Sequence, residues 1–534
     1  MTHTTFTLVV VFAALGCGDS GEGSSEDPDS AASSSDDSTG GELTAMTATP
    51  TSGATSSSGS TAGTTGGSTT GPATTTAGTT DDTDTTTSDT GQAIAPCDAF
   101  TPGDAFSVCA ATYVGGAGVD GPRDIAFAAD GALLYAGSLI GTDLGVSPTS
   151  LLGGGDGALL RVSADGQQLL SLTRIGAEVT GVAALPGGDI VIAGDFGVAR
   201  LDGDASTLLW QAELGATPSR LRVGSDGTIA ALVGDVILLD ADGAELASVS
   251  TGGGTKSDLA IDGASQTVMV TGFKQEDGPP CTELQIPFIR AYDYAGASAW
   301  TAYDWTKEQV GASDECADSR GVALAIGGDG MLYYAGESHG GNTVHRRLPN
   351  DLDEFAETVK FDKYNDPYNL NGAAPIAYYA RLDPATGAHE RGQFLCTRLT
   401  SNDKGNAARP SAIAATEDGS VIVSGGTACC VENGDSKTVN GEPAFGEYLG
   451  GGFVLVVSPE FDERLSWTAF RGPGGNGETG VRVATNGANV AAIFEQEHED
   501  GTDAWPMLTF NADAIAAAPG GGARDGWLTL FPAP

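Results

Sequence analysis

The stretch DIAFAADGALLYAG, residues 124–137, contains the local pattern that decides the fold. A run of mostly apolar residues leads into an Asp-Gly pair, and a second apolar run follows it. Asp-Gly is typical of tight hairpin turns because these residues tolerate the positive φ that such turns require. The stretch therefore predicts two antiparallel strands joined by a short turn.

Six further stretches repeat this pattern along the chain. They are GVAALPGGDIVIAG (181–194), RLRVGSDGTIAALVG (220–234), DLAIDGASQTVMVTG (258–272), ALAIGGDGMLYYAG (323–336), AIAATEDGSVIVSG (412–425) and VRVATNGANVAAIF (481–494). A second predicted hairpin follows each one, for example VARLDGDASTLLWQAEL (198–214). Each unit thus has four strands, and units of this kind cover their apolar faces by packing in a ring.

Two parts of the chain resemble the repeat of bacterial seven-bladed β-propellers, namely WTAFRGPGGNGETGVRVATNG (467–487) and TVMVTGF (267–273). The resemblance implies an all-β fold, a single seven-bladed propeller of four-stranded antiparallel blades. It also implies that the outer strands carry Trp210, Trp300, Trp467 and Trp527. FSVCAATYVGG (106–116) resembles a fourth strand that precedes the first unit and closes the ring against the last blade. Because the repeats are unevenly spaced, rings of six or eight blades are alternatives.

The N-terminal stretch FAALGCGDS (12–20) ends an apolar run at a single cysteine. Residues 6–15 are too few to span a membrane, which takes about 20, but they suit a secretory signal. Ala14-Leu15-Gly16-Cys17 resembles the lipobox of bacterial lipoproteins. That resemblance implies cleavage after residue 16, a lipid on Cys17, and a place in the bacterial cell envelope, facing the periplasm or the exterior. The membrane is then one partner, contacted through the lipid.

The residues between this cysteine and the repeats are nearly all Ser, Thr, Gly, Asp and Ala. Such a composition has few large apolar groups to bury, so it predicts a disordered linker. The chain is therefore divided into a lipoprotein signal peptide at 1–16, a linker at 17–96 and the propeller domain at 97–534.

The charge balance of the propeller domain is strongly acidic. The 12 acidic residues before position 97 leave 58 acidic against 25 basic residues, a net charge of −33. A surface of this kind repels nucleic acid, so we expect no nucleic-acid partner. It is compatible with divalent cations.

Seven cysteines follow Cys17, and an exported compartment permits disulfides between them. They are Cys97, Cys109, Cys281, Cys316, Cys396, Cys429 and Cys430. We expect Cys281 to bond to Cys316, and Cys396 to bond to Cys429 or Cys430. Because the number is odd, at least one thiol is left over; a bond between the adjacent Cys429 and Cys430 is an alternative pairing. No Cys/His spacing in the sequence is typical of a zinc site.

Long insertions in blades four to six predict functional loops on one face of the propeller. They lie at 273–287, 337–374 and 426–451, and long connections between blades lie at 306–320 and 397–410. Blades one to three have almost nothing at these places. The candidate binding face comprises His339, His345, Arg346, Asp362 and Asp366 on the second insertion. The oxygen ligands there are dense enough to hold Ca²⁺, although exposed loops are polar in any case; no metal ligands are assigned. The sequence G-x-S-x-G at 336–340 is interpreted as the end of a blade strand, not as a nucleophile elbow.

Two classes of function are compatible with this architecture. The first is a surface-anchored binding or scaffold domain for a protein, peptide or glycan. The second is an extracellular hydrolase or lyase that acts at the propeller face or in the axial pocket, which needs His, Arg or carboxylate groups from several blades at the axis. The innermost strands, such as IAFAA and ALAIG, are small and apolar, and this favours the first class. No catalytic residue is assigned.

Overall fold

Seven sheets with four antiparallel strands each make up most of the described chain, as the sequence predicts. One of them also has a short fifth strand, Thr149–Leu151, which pairs parallel with its fourth strand. The structure is a computed structural model that describes residues 99–356, 374–399, 405–443, 450–470, 479–497, 515–516 and 520–534. The predicted signal peptide, Cys17 and the linker lie outside these residues. In each sheet, or blade, the strands are numbered first to fourth from the axis outward.

The blades have the following strands, each given in order from first to fourth. Blades 1 and 2 consist of Gly121–Phe127, Leu133–Ser138, Gly157–Val162 and Leu169–Ile175, and of Val179–Ala184, Ile190–Gly194, Gly197–Leu201 and Leu208–Ala212. Blades 3 and 4 consist of Arg220–Val223, Ile229–Val233, Asp235–Leu239 and Glu245–Val249, and of Thr255–Asp262, Thr267–Glu276, Leu284–Asp293 and Ser298–Ala302. Blades 5 and 6 consist of Ser319–Ile326, Leu332–Ser338, Ile376–Leu382 and His389–Leu395, and of Ala408–Ala415, Val421–Thr427, Gly451–Val457 and Arg464–Phe470. Blade 7 consists of Thr479–Thr485, Asn489–Glu497, Arg524–Pro532 and Ala110–Val114.

The blades form a closed ring. The first strand of every blade contacts the first strand of the next one, and that of blade 7 contacts that of blade 1. Buried apolar side chains from neighbouring blades form shared core clusters, for example between blades 4 and 5. Because no blade can cover both of its apolar faces alone, closure of the ring is what buries them.

The last blade takes its fourth strand from the N-terminal side of the domain, as predicted. Ala110–Val114 pairs antiparallel with Arg524–Pro532, in a register that sets Tyr113 opposite Trp527. All five residues of this strand are buried. Both ends of the propeller chain therefore meet in one sheet, which closes the ring through backbone hydrogen bonds.

The turns between first and second strands follow the predicted chemistry. In blade 1, Gly131 has a φ of 81°, and the Asp130 side chain accepts from the Ala132 N–H at 3.1 Å. Glycine suits this turn because positive φ costs it no steric strain. Blade 4 differs, because Gln266 and not a glycine takes the positive φ, at 53°.

Two of the predicted outer tryptophans join neighbouring blades. Trp210 donates through Nε1 to the Ala241 carbonyl at 2.9 Å, and Trp300 donates to the Pro384 carbonyl at 2.9 Å. Each indole covers a glycine in the next blade's outer turn, where a Cβ would clash with the ring. Trp467 is also on a fourth strand, but the prediction for Trp527 is wrong, because it lies on the third strand of blade 7.

Shorter elements lie outside the four main strands of each blade. The α-helix Lys307–Ala312 begins after Thr306, whose side chain accepts from the Gln309 N–H in a capping box. Two 3₁₀ helices span Val344–Arg346 and Gly434–Ser436. The short strands are Ala105–Phe106, Thr149–Leu151, Arg347–Leu348, Asp351–Phe355, Thr397–Arg398, Gly405–Asn406, Thr438–Val439 and Glu442–Pro443.

Candidate functional site

A cavity of about 460 Å³ lies on the propeller axis, and all seven first strands contribute to its lining. At one end its lining includes charged residues from the middle of the first strands. At the other end it reaches Glu417 and Asn486, which are exposed in the first turns of blades 6 and 7. The cavity therefore extends from a charged layer to the solvent, and its volume is typical of small-molecule sites.

The backbone of the first strands places these charged side chains at one level of the ring. In blades 1, 4 and 7 the strand carries a β-bulge, and the residue after the bulge is Asp124, Asp258 and Arg482, respectively. A bulge redirects the side chains next to it. In blade 3, Arg220 and Arg222 are two residues apart on one strand, so both lie on the same face.

Three arginines share two aspartates in this axial cluster. Arg222 Nη1 is 3.4 Å from Asp124 Oδ2, and its Nη2 is 3.1 Å from Asp258 Oδ1. Arg482 Nη1 is 3.4 Å from Asp258 Oδ2, and its Nε is 3.8 Å from Asp124 Oδ1. Arg220 Nε is 3.5 Å from Asp258 Oδ1. The cluster thus joins blades 1, 3, 4 and 7 and has one positive charge in excess.

Backbone groups of the next blade hold each aspartate in place. The Val182 N–H donates to Asp124 Oδ2 at 3.2 Å, and the Leu324 N–H donates to Asp258 Oδ2 at 3.3 Å. Both carboxylates are almost fully buried. Their positions are therefore fixed by the ring itself, before any ligand binds.

The pKa shifts agree with an excess of positive charge. Burial alone raises the pKa of Asp258, but Arg482, Arg222 and Arg220 outweigh it and hold this pKa below its usual value. The positive charge of Arg482, with burial second, lowers the pKa of Arg220 to about 10. Asp258 is therefore ionised at neutral pH. Burial lowers the pKa of Arg222, but Asp258 and Asp124 outweigh it and raise this pKa, so the repulsion between arginines bears on Arg220.

The expectation of a small, apolar axis is wrong in one respect. The walls do contain Ala and Ile from the first strands, but charged groups from four blades converge at their inner end. A signal for them was present in the sequence: the stretches at 124, 220 and 258 each begin with a charged residue directly before an apolar strand.

The insertions of blades 4 and 5 form one continuous surface. Cys281 and Cys316 are disulfide-bonded, with their Cα atoms 5.4 Å apart, as predicted. Arg347 Nε is 2.6 Å from Glu315 Oε1, which ties the blade 5 insertion to the connection that precedes that blade. The prediction that blades 1 to 3 lack such insertions is wrong for blade 1, where residues 139–156 separate the second and third strands.

Two residues of the predicted binding face lie on this surface. His339 Nε2 is 3.2 Å from Glu337 Oε1, and the Arg346 guanidinium lies over the ring of Phe355, which is 61% exposed. Asp362 and Asp366 lie outside the described residues. Within those residues no group of three or more His, Cys, Asp or Glu side chains is arranged to hold a metal ion. A Ca²⁺ site stays a prediction.

His345, the remaining residue of that set, is fully buried and is removed from the candidate face. Its ring stacks on Tyr378 at a centroid distance of 4.8 Å, and its Nε2 is 2.9 Å from the Tyr334 hydroxyl. Its Nδ1 has no hydrogen-bond partner among the described residues. Burial lowers the pKa of His345 to about 3, so the ring is neutral and structural.

The stretch G-x-S-x-G at 336–340 is the end of a strand, as the sequence analysis concluded. Ser338 is the last residue of the second strand of blade 5, opposite Ile376. Its hydroxyl donates to the Gly340 carbonyl at 3.0 Å. This antiparallel environment differs from the strand-to-helix turn of a nucleophile elbow.

The remaining cysteines are only partly accounted for. Cys109 is disulfide-bonded, whereas Cys97 lies outside the described residues. The sulfur atoms of Cys429 and Cys430 are 2.6 Å apart, and Asn406 Nδ2 is 3.7 Å from Cys429 Sγ. The pairing of Cys396 with one of these two cysteines stays a prediction.

The ring of blades and its axial cavity define the chain as a seven-bladed β-propeller. No known protein family and no curated protein matches the chain. Among solved structures it is similar to hydrazine synthase of Kuenenia stuttgartiensis, with 11% sequence identity, coverage of 70% of this chain and 92% of that chain, and a TM-score of 0.42. In the described part of the chain, no helix has the length and apolarity that crossing a membrane requires.

Proposed function

We propose that the propeller is a ligand-binding domain and that its axial cavity is the ligand site. The observation that supports this is the convergence of charged side chains from four blades on a solvent-connected cavity of small-molecule size. Charged groups buried this deeply are costly unless they are paired, and here the pairing leaves a surplus. A site that is preformed in this way binds a ligand with little reorganisation.

The pKa of Asp258 and the contacts of Asp124 favour ligand binding over hydrolase or lyase activity. A general acid or base works best with a pKa near the operating pH. The pKa of Asp258 lies below its usual value because three arginines surround it. Asp124 forms an ion pair with Arg222 and accepts a hydrogen bond from the Val182 N–H. Both groups serve to position charge.

The cellular context of the proposal comes from the sequence. A lipid on Cys17 and the linker up to residue 96 would hold the propeller at a distance from the bacterial membrane, in the cell envelope. The surface formed by the insertions of blades 4 and 5 would then be the place where a protein, peptide or glycan partner docks. Ligand binding at the axis and partner binding at this surface are compatible, because they use different residues.

A thermal-shift screen of the wild type and of a variant whose axial cavity is blocked by a tryptophan tests the proposal. Ala325 lines the cavity and is partly exposed there, so Ala325→Trp places an indole in the ligand's space. The matched control, Ala299→Trp, adds the same ring to the exposed fourth strand of blade 4. We expect small molecules that raise the Tm of the wild type to lose their effect on Ala325→Trp and to keep it on Ala299→Trp. If the hits stabilise both variants equally, or no compound in a broad library stabilises the wild type, the proposal fails.

A further inference from the structure

We infer that the ligand of the axial cavity is a monocarboxylate with an apolar body, whose carboxylate accepts hydrogen bonds from Arg482. This inference rests on the proposed function and specifies its ligand class. Three features carry it: an unsatisfied buried guanidinium, a single excess positive charge, and apolar walls beyond the charged layer.

The first feature is the incomplete hydrogen bonding of Arg482. The residue is 95% buried and lines the cavity, and its Nη2 has no hydrogen-bond partner among the described residues. Its contacts with Asp258 at 3.4 Å and Asp124 at 3.8 Å are longer than the 2.7–2.9 Å typical of charge-assisted hydrogen bonds. A buried charged donor without an acceptor is strongly unfavourable. The Nη2 atom is itself closed to solvent, so a ligand oxygen at the inner end of the cavity would supply the missing acceptor once the guanidinium turns towards it.

The second feature is the charge of the cluster. Three arginines and two aspartates leave a net charge of +1 at the inner end of the cavity. A monoanion brings this end to neutrality. A dianion would reverse the charge, and a cation would raise it, and both outcomes are unfavourable where the dielectric constant is low. Glu417 does not change this balance, because it is exposed to solvent at the opposite end.

The third feature is the wall between the charged layer and the exposed turns. It is lined by Ile125, Phe127, Ile326, Ile413 and several alanines. Arg482 and Asn486 are four residues apart on the blade 7 strand and turn, so the wall is about 13 Å long at about 3.3 Å per residue. An apolar chain or ring attached to the carboxylate would fill this length. A purely polar anion such as phosphate would leave the wall uncovered.

The net charge of the whole domain predicts a salt dependence of carboxylate affinity that distinguishes the axial site from a surface site. The net charge of −33 opposes the approach of an anion, and salt screens this long-range repulsion. The contacts inside the cavity are shielded from solvent and are screened less. We therefore expect carboxylate affinity to hold or rise as salt increases, whereas an anion on a surface arginine would bind more weakly.

Isothermal titration calorimetry on the wild-type protein tests the ligand class without any mutation. The probes are octanoate, its uncharged isostere octanamide, the dianion succinate, and inorganic phosphate. We expect octanoate to bind and the other three to bind at least tenfold more weakly. Equal binding of octanamide, preference for succinate or phosphate, or no binding of octanoate would overturn the inference.

Variants of Arg482 test the position of the carboxylate. Arg482→Met should weaken octanoate binding on the order of 10- to 100-fold, as expected for loss of a charged hydrogen-bond partner. Arg482→Lys keeps the cluster's charge but loses the Nη2 donor, so it should fold and still bind more weakly than the wild type. The matched control, Arg391→Met, removes an arginine from the exposed outer strand of blade 5 and should not change binding. If Arg482→Lys binds octanoate as tightly as the wild type, the carboxylate is elsewhere.

The two proposals fail in different ways. If the thermal-shift hits are neutral or cationic molecules and Ala325→Trp abolishes their effect, the axial cavity is the ligand site but the monocarboxylate inference is wrong. If octanoate binds the wild type and Ala325→Trp equally, the ligand site itself is wrong.

Discussion

Replacement of His345 by phenylalanine should remove a defined part of the acid sensitivity of the fold. The neutral ring is enclosed by Tyr303, Tyr334 and Tyr378, and burial lowers its pKa from 6.5 to about 3. In the unfolded chain the same group takes up a proton below about pH 6.5. The stability that depends on the neutral ring is therefore complete above pH 6.5 and is lost as the pH falls from there towards 3.

The size of this effect follows from proton linkage. Each pH unit between the two pKa values costs about 1.4 kcal/mol, so His345 should remove about 2 kcal/mol from the free energy of unfolding between pH 8 and pH 5. His389, whose pKa burial lowers to about 4, acts in the same direction. Asp120 acts in the opposite direction, because burial raises its pKa to about 6. These two contributions are common to wild type and variant and cancel in their difference.

The assay is urea unfolding of the wild type and His345→Phe at several pH values from 8 to 4.5. We expect the difference in the free energy of unfolding to change by about 2 kcal/mol in favour of the variant by pH 5. The control, Tyr334→Phe, removes the same 2.9 Å hydrogen bond but leaves the histidine able to titrate, so it should follow the wild type. Parallel pH curves for the wild type and His345→Phe would refute the reasoning.

Three other predictions concern the ring, its loops and its anchor. Tyr113→Ala should lower the free energy of unfolding by about 3–5 kcal/mol, because the side chain is fully buried in the strand that closes the ring; a loss below about 1 kcal/mol in denaturant unfolding would contradict closure through that strand. Replacing Cys281 and Cys316 together by serine should speed amide hydrogen exchange in the loops at 277–283 and 303–318 and leave the first strands protected. Unchanged exchange in both loops would show that the disulfide does not order them. Cys17→Ser should move the protein from the membrane to the soluble fraction, with loss of an acylated N-terminus by mass spectrometry; a variant still in the membrane would contradict the lipid anchor.

The parts of the fold that the sequence predicted depend on local chemistry. Asp130 and Gly131 make a turn in any context that brings two strands together, because one supplies a side-chain acceptor and the other a positive φ. The closing strand Ala110–Val114 was recognisable because it is apolar, carries β-forming residues and precedes a complete unit. The pairing of Cys281 with Cys316 followed from their places in the blade 4 insertion and in the long connection between blades 4 and 5, which were expected on the same face.

The axial cluster was not predictable in the same way, since its members are far apart in the chain. Arg482 and Asp258 are separated by 224 residues, and Arg222 and Asp124 by 98. Only the closed ring brings them within about 4 Å, a distance at which ion pairs are effective. The burial of His345 has the same origin. It is a polar residue in an insertion, and the tyrosines that enclose it come from the blade 5 sheet and the preceding connection.

The most direct test of a carboxylate-binding axis is a crystal structure of the protein with 8-bromooctanoate, in which the anomalous signal of bromine locates the ligand. We expect the carboxylate within hydrogen-bond distance of Arg482 Nη2 and the bromine towards the exposed turn that contains Asn486. An ordered water molecule on Nη2, with bromine peaks only outside the axial cavity, would contradict the account.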